Sequence, residues 1–193
     1  MTHYTTMSSN LKRGILRFSE AISSGLSRPE FKFISQLIYG MLAAHSCHLS
    51  KIARSLNENI TLKKTTDRLS RNLSAFNDRD AIQDNVVEKL KSCLSDTSVL
   101  IVDGGDITKP CSPKMEYISR VRDGSTGEYG EGYHTISVTA LTPEKKMPVC
   151  VYSNVYSASE PGFVNASGDA AEQIARMSLQ GVEVATPITV RLC

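Results

Sequence analysis

The chain has 193 residues, 40% of them hydrophobic, with 22 basic and 20 acidic side chains, enough for one medium domain or for a small helical domain followed by a larger one with its own core. Five scattered cysteines, Cys47, Cys93, Cys111, Cys150 and Cys193, are odd in number and in no paired spacing, which argues against a disulfide framework and for a reducing compartment such as the cytoplasm. No apolar run reaches the roughly 18 residues of a membrane span, and the polar start MTHYTTMSSNLKRG lacks a signal peptide's apolar core, so the chain reads as soluble, with no membrane partner.

Charge is unevenly distributed. Residues 1–95 carry 14 basic against 8 acidic side chains and residues 96–193 carry 8 against 12. The basic half suits a polyanion partner and the acidic half suits metal or proton chemistry.

In chain order, Pro29 opens PEFKFISQLIYGMLAAH, where Phe33, Leu37, Met41 and Ala44 fall near one stripe of a core helix. HLSKIARSLNE comes next, with Leu49, Ile52, Ala53 and Leu56 at i, i+3, i+4 and i+7, a compact amphipathic helix ending at Asn57–Asn59. Thr61 then caps LKKTTDRLSRNLSAF. In that segment Leu62, Thr66, Leu69 and Leu73 share one side at about 100° per residue, while Lys64, Arg68 and Arg71 gather on the other. Two short helices around a polar turn, the second with a basic outer face, have the sequence shape of a helix-turn-helix, with Lys63, Lys64, Arg68 and Arg71 as candidate DNA contacts. Another helix, DRDAIQDNVVEKLKSCL, is expected from an Asp80 cap, with Ile82, Val86, Leu90 and Leu94 on an i+4 ladder.

The period then changes from helical to extended. SVLIVD is a short, nearly continuous apolar run of the kind a central strand shows. YHTISVTAL and MPVCVYSNVYS read as two more strands joined by a hairpin connection, TPEKK. The stretch from Ile118 to Tyr133 holds four glycines, Gly124, Gly127, Gly130 and Gly132, and reads as a loop. SGDAAEQIARMSL reads as a helix starting near Ser167 or Asp169, and QGVEVATPITVRLC as a short β-prone tail. Helices followed by strands and a helix give an expected order of a helical domain, residues 1–95, and an α+β or α/β domain with a mixed sheet, residues 96–193.

Asp103 closes the first apolar run, where a carboxylate at a strand end projects into the crevice in which open sheets present their ligand sites. Magnesium takes one or two carboxylates with water and phosphate oxygens, so a second acidic ligand would have to converge on Asp103. Asp106 lies three residues on, beyond Gly104 and Gly105. It either reaches the same ion or braces the turn, and the turn role is favoured. HSCH, with His45, Cys47 and His48, has no second ligand pair at zinc spacing. DGSTG, residues 123–127, lacks the Gly-Lys-Ser/Thr ending of a phosphate-binding loop.

The span VLIVDGGDITKPCSPKMEYISRVRDGSTGEYGEGYHTISVTAL resembles the start of the catalytic domain of bacterial insertion-sequence transposases of the acidic-triad (DDE) type, with an RNase H-like core. The preceding HLSKIARSLNENITLKKTTDRLSRNL is similar to that family's N-terminal helical DNA-binding region, and together the two cover roughly residues 30–180. The resemblance implies that Asp103 is the first triad carboxylate, with Asp106 the lesser claimant. It implies magnesium as cofactor, two ions held by the triad and activating a water or a DNA 3′ hydroxyl for attack on a phosphodiester. It also implies double-stranded DNA at transposon ends as partner, a homodimer or an intact transposase as further partner, and a cytoplasmic, nucleoid-associated location. In that family the second aspartate follows the third strand and a helix, at the end of a fourth strand and beside an Arg-Gly pair, and the resemblance places that position just after Leu179. There the chain reads QGVEVATPITVRLC, with no aspartate after Asp169, and Glu183 does not match the triad glutamate. The expectation is therefore a C-terminally truncated transposase, inactive alone. The alternative is a non-catalytic DNA-binding protein that recognises transposon ends or regulates an intact enzyme.

Overall fold

Serine and glutamate three residues apart start the best-defined helix of the first half. In the computed structural model, which describes residues 2–95, 98–111, 114–142, 147–179 and 185–191, the Glu30 carboxylate accepts the Ser27 backbone N–H at 2.9 Å and the Ser27 hydroxyl at 2.6 Å. That exchange, with Pro29 in the first turn, opens helix α2 (Arg28–Ala44). The chain divides into two compact units, Met1–Lys89 and Leu90–Cys193. The first is helical and the second is built on a sheet, so the protein is α+β.

In the first unit α2 is preceded by α1 (Thr2–Ile22) and followed by α3 (Leu49–Leu56), α4 (Leu62–Ala75) and α5 (Arg79–Leu90). Phe33, Ile52, Ala53 and Leu69 form the core, with Ile34, Leu37, Met41, Leu49, Leu56 and Phe76 packed around them. The stripes expected on α2 and α3 thus point inward, apart from Ala44. Helix α3 crosses α2 closely at Gly40, where an added Cβ would sit 2.4 Å from Ile52 Cγ2. Glycine is needed there for the contact and not for its backbone freedom.

Helix α4 departs from the expected orientation. Its buried residues are Thr65 and Leu69, whereas Leu62 is 38% and Leu73 50% exposed. The inward face is rotated toward Thr65 and Arg68, because the polar Arg68 is drawn inside by partners from α2 and from the α3–α4 turn. Helix α1 lies outside the expected elements, although Leu11, Ile15, Phe18 and Ile22 recur at i, i+4, i+7 and i+11 on one side of it. Of its described side chains Ser19 and Ile22 are buried. Asn85 of α5 donates to the carbonyls of Ile22 at 3.0 Å and Ser24 at 2.9 Å, satisfying acceptors that the end of α1 leaves without helical partners. Helix α5 starts at Arg79, with Ile82 N–H bonded to Asp78 O at 3.1 Å, so Asp80 lies inside the first turn rather than at the cap. It stops at Leu90, and Lys91–Cys93 form a 3-10 turn. The expected ladder therefore does not continue as α-helix to Leu94.

Among the described residues the second unit is a five-stranded mixed sheet with one α-helix. Its strands are β1 (Val99–Thr108), β2 (Ser119–Arg122), β3 (Tyr129–Thr142), β4 (Met147–Tyr156) and β5 (Ala185–Arg191), with α6 (Ala166–Leu179) between β4 and β5. β3 pairs antiparallel with β1 along one edge and with β2 and then β4 along the other. β5 returns parallel to β1. Leu100, Val102, Val121, Ile136, Val138, Ala140, Tyr152 and Tyr156 are buried, and within each strand their spacing places them on one face. Ala170 of α6 is buried as well.

Gly130 and Gly132 lie inside β3, not in a loop as expected. A Cβ on Gly132 would fall 2.2 Å from the Ile107 carbonyl oxygen, so glycine marks a close approach of two strands. The true turn is residues 123–128. There Asp123 N–H bonds Glu128 O at 2.8 Å, Gly127 N–H bonds Asp123 O at 2.7 Å, and Gly127 has φ +75°. The Asp123 carboxylate accepts the Ser125 hydroxyl at 2.5 Å and its N–H at 2.8 Å. Those bonds, the hydroxyl's first, hold its pKa below the ordinary value. The TPEKK connection falls almost wholly outside the described residues.

Candidate functional site

The first candidate surface is α4. Asn57 closes α3 in the left-handed conformation at φ 46°, and Thr61 opens α4 by accepting the Lys64 N–H at 3.4 Å. Five residues thus separate the two helices. Lys63, Lys64 and Arg71 are exposed, with Ser70, Ser74 and Asp67 among them. Arg68 is different. It donates to Gln36 Oε1 at 2.7 Å and to both Glu58 oxygens at 2.8 and 2.7 Å, while Glu58 also accepts from Thr65 at 3.0 Å and Gln36 at 3.0 Å. Burial works to raise the Glu58 carboxyl, but the hydrogen bonds and charge of Arg68, with Thr65 and Gln36, outweigh it and hold the pKa below the ordinary 4.5. As placed, Arg68 fastens α4 to α2 and to the preceding turn, and it is not presented outward with the lysines as expected.

The second candidate is Asp103. It lies in the middle of β1 and not at its end, because β3 supplies paired backbone for every residue from Val99 to Thr108. Gly104 and Gly105 therefore continue the strand and make no turn. Asp103 does mark another limit: it is the last position of β1 paired with β5, opposite Arg191, and on β3 it faces Ser137. Its side chain is exposed and alternates with the buried Leu100 and Val102, which puts it on the outer face of the sheet.

Asp106 is three residues away along an extended strand, hence on the opposite face. Its carboxylate lies 2.7 Å from His134 Nδ1 on β3, its partner in the strand register. The two aspartates do not converge on one ion, and Asp106 braces a cross-strand pair in place of the expected turn. Among the described residues no three His, Cys, Asp or Glu side chains come together to hold a metal, and no helix is long and apolar enough to cross a membrane.

Neither a family model nor a curated protein sequence matches this chain. The geometry of the chain itself therefore carries the functional reading. His134 escapes a sequence reading because its relation to Asp106 is a matter of register across 28 residues. The position expected for a second triad aspartate, just after Leu179, and Glu183 both lie outside the described residues. Beyond α6 the next described element is the strand Ala185–Arg191.

Proposed function

We propose that this chain is a DNA-binding protein of acidic-triad transposase descent, in which the helical unit holds duplex DNA and the sheet carries the first triad carboxylate of an RNase H-like core, Asp103. The observation that carries this reading is the sheet order. Antiparallel strands β1 to β4 are followed by a helix and by β5 parallel to β1; with the short β2 counted as one arm of the β2–β3 hairpin, this order supports the three strands, helix and fourth strand that the resemblance implies. Asp103 sits on the central strand at the last position paired with β5. The α3–turn–α4 pair is read as a helix-turn-helix, with Lys63, Lys64 and Arg71 facing DNA and Arg68 setting the angle of α4.

Magnesium belongs to the same proposal. Asp103 offers it one carboxylate, and the described residues do not by themselves complete a two-metal centre, so no chemical step is assigned to it. A second reading, a DNA-binding protein that does not cut, is favoured by one observation: the strand beside Asp103 brings an arginine, Arg191, into register with it instead of a carboxylate.

Titrating the full chain into labelled duplex DNA at several salt concentrations tests both readings. The expected affinity falls steeply between roughly 50 and 200 mM salt, because phosphate contacts release counterions. Absent or salt-insensitive binding overturns the DNA assignment. Efficient strand cleavage by this chain alone with magnesium would decide against the non-cutting form.

A further inference from the structure

We propose that the outward face of the β2–β3 hairpin binds unpaired DNA, with Arg120 and Arg122 on phosphates and the Tyr129 ring as a base-stacking platform; this rests on the DNA reading above and extends it along the same sheet face. Strand β2 alternates, with Ser119 and Val121 buried and Arg120 and Arg122 exposed. The register sets Arg122 opposite Tyr129 and Arg120 opposite Glu131. Tyr129 is 64% exposed, against 45% for Tyr117 and 41% for Tyr39. The Arg120 guanidinium carbon stands 4.6 Å from the Tyr129 ring centroid, a cation–π contact that covers one ring face and leaves the other open. Arg122 Nε donates to the Gly127 carbonyl at 3.5 Å. Among the described residues neither arginine is paired with a carboxylate.

The shape of the patch selects its partner. Glu131 faces outward with the arginines, and Glu128 is exposed in the turn, so this is no broad basic trough for a duplex backbone. It is two local cations beside an open aromatic ring. A duplex keeps its bases stacked inside, whereas an unpaired strand offers phosphates to guanidinium groups and a base face to the ring. The turn is closed by the hydrogen bonds across residues 123–128, so the ring and the arginines are held in place before binding. Tyr129 and Ser137 lie on the same side of β3, and Ser137 faces Asp103. Eight residues of strand, on the order of 25 Å, therefore link the hairpin patch to the Asp103 position on one continuous face.

The test compares fluorescence anisotropy of the full chain with a blunt duplex and with the same duplex carrying a short single-stranded DNA overhang. The wild type is expected to prefer the overhang by about tenfold, and Tyr129→Ala to lose that preference while keeping its affinity for the blunt duplex. Tyr129→Phe is expected to retain the preference, since the ring and not the hydroxyl is used. Replacing both Arg120 and Arg122 by glutamine is expected to weaken overhang binding and lower its salt slope by about 0.7 for each phosphate that the arginines no longer neutralise. Equal binding of both probes by the wild type, or an unchanged preference in Tyr129→Ala, overturns this inference alone. Failure to bind either probe overturns the proposed function with it, and tighter binding of an RNA overhang than a DNA one overturns the assignment to DNA.

Discussion

Glu58 accepts hydrogen bonds from Arg68, Thr65 and Gln36, so it joins α2 to the turn before α4 and to α4 itself. Glu58→Ala would leave a half-buried guanidinium without its carboxylate partner, and unfolding of the helical signal should show a loss of about 1–3 kcal/mol. The Glu58 pKa is lowered in the folded chain, so its contribution is fully present above the unfolded value near 4.5 and is lost as pH falls through the lower folded value. An acid titration of stability should therefore fall away less steeply below pH 4.5 in Glu58→Gln than in the wild type. The two aspartates of β1 separate by their surroundings in the same way. Asp103→Asn, on the outer face, should change stability by no more than about 0.5 kcal/mol, whereas Asp106→Asn weakens the His134 pair and should cost up to about 1 kcal/mol.

At the level of elements, α4 and the β1–β3 pair are where packing overrode local pattern. Leu69 is fully buried and Leu73 half exposed, although both fall on the same sequence stripe. Leu69→Ala should cost about 2–5 kcal/mol and Leu73→Ala no more than about 0.5 kcal/mol, and equal losses in thermal melts would contradict the rotated face. On the sheet, Gly132→Ala should destabilise the second unit by about 1–3 kcal/mol or more, because the added methyl meets a backbone oxygen that cannot rotate away. Helix α4 also predicts a division among its basic residues. Lys63→Ala, Lys64→Ala and Arg71→Ala should each leave the fold intact and lower the salt slope of duplex binding by about one, while Arg68→Ala should show first in the melting curve.

For the whole molecule, the proposed division of labour gives the helical unit the duplex and the sheet an unpaired strand beside Asp103. The legible part of this arrangement was local. Helical spacing in α2 and α3 identified Phe33, Leu37, Met41, Ile52 and Leu56 as inward-facing, since a helix fixes the relative direction of its own side chains. The apolar run before Asp103 marked the central strand for a similar reason: burial on a sheet demands it. The hidden part depended on other segments. Two adjacent glycines read as a break, yet β1 runs on through them because β3 pairs with every residue. The region from Ile118 to Tyr133 read as a loop, which concealed β2 and with it the Arg120–Tyr129 contact.

The sequence by itself determined the order of α2 to α5 and of β1, β3, β4 and α6, the charge difference between the halves and the exposed lysines at the start of α4, because each follows from composition or from the period of one element. Only the tertiary structure decided that Arg68 turns inward to Glu58, that Asp103 and Asp106 lie on opposite faces with His134 claiming the second, and that β5 runs beside β1 to bring Arg191 level with Asp103. The physical reason is common to all three. A side chain's spacing along the chain sets which neighbours share its face, but its partner is set by register and packing between segments far apart in sequence.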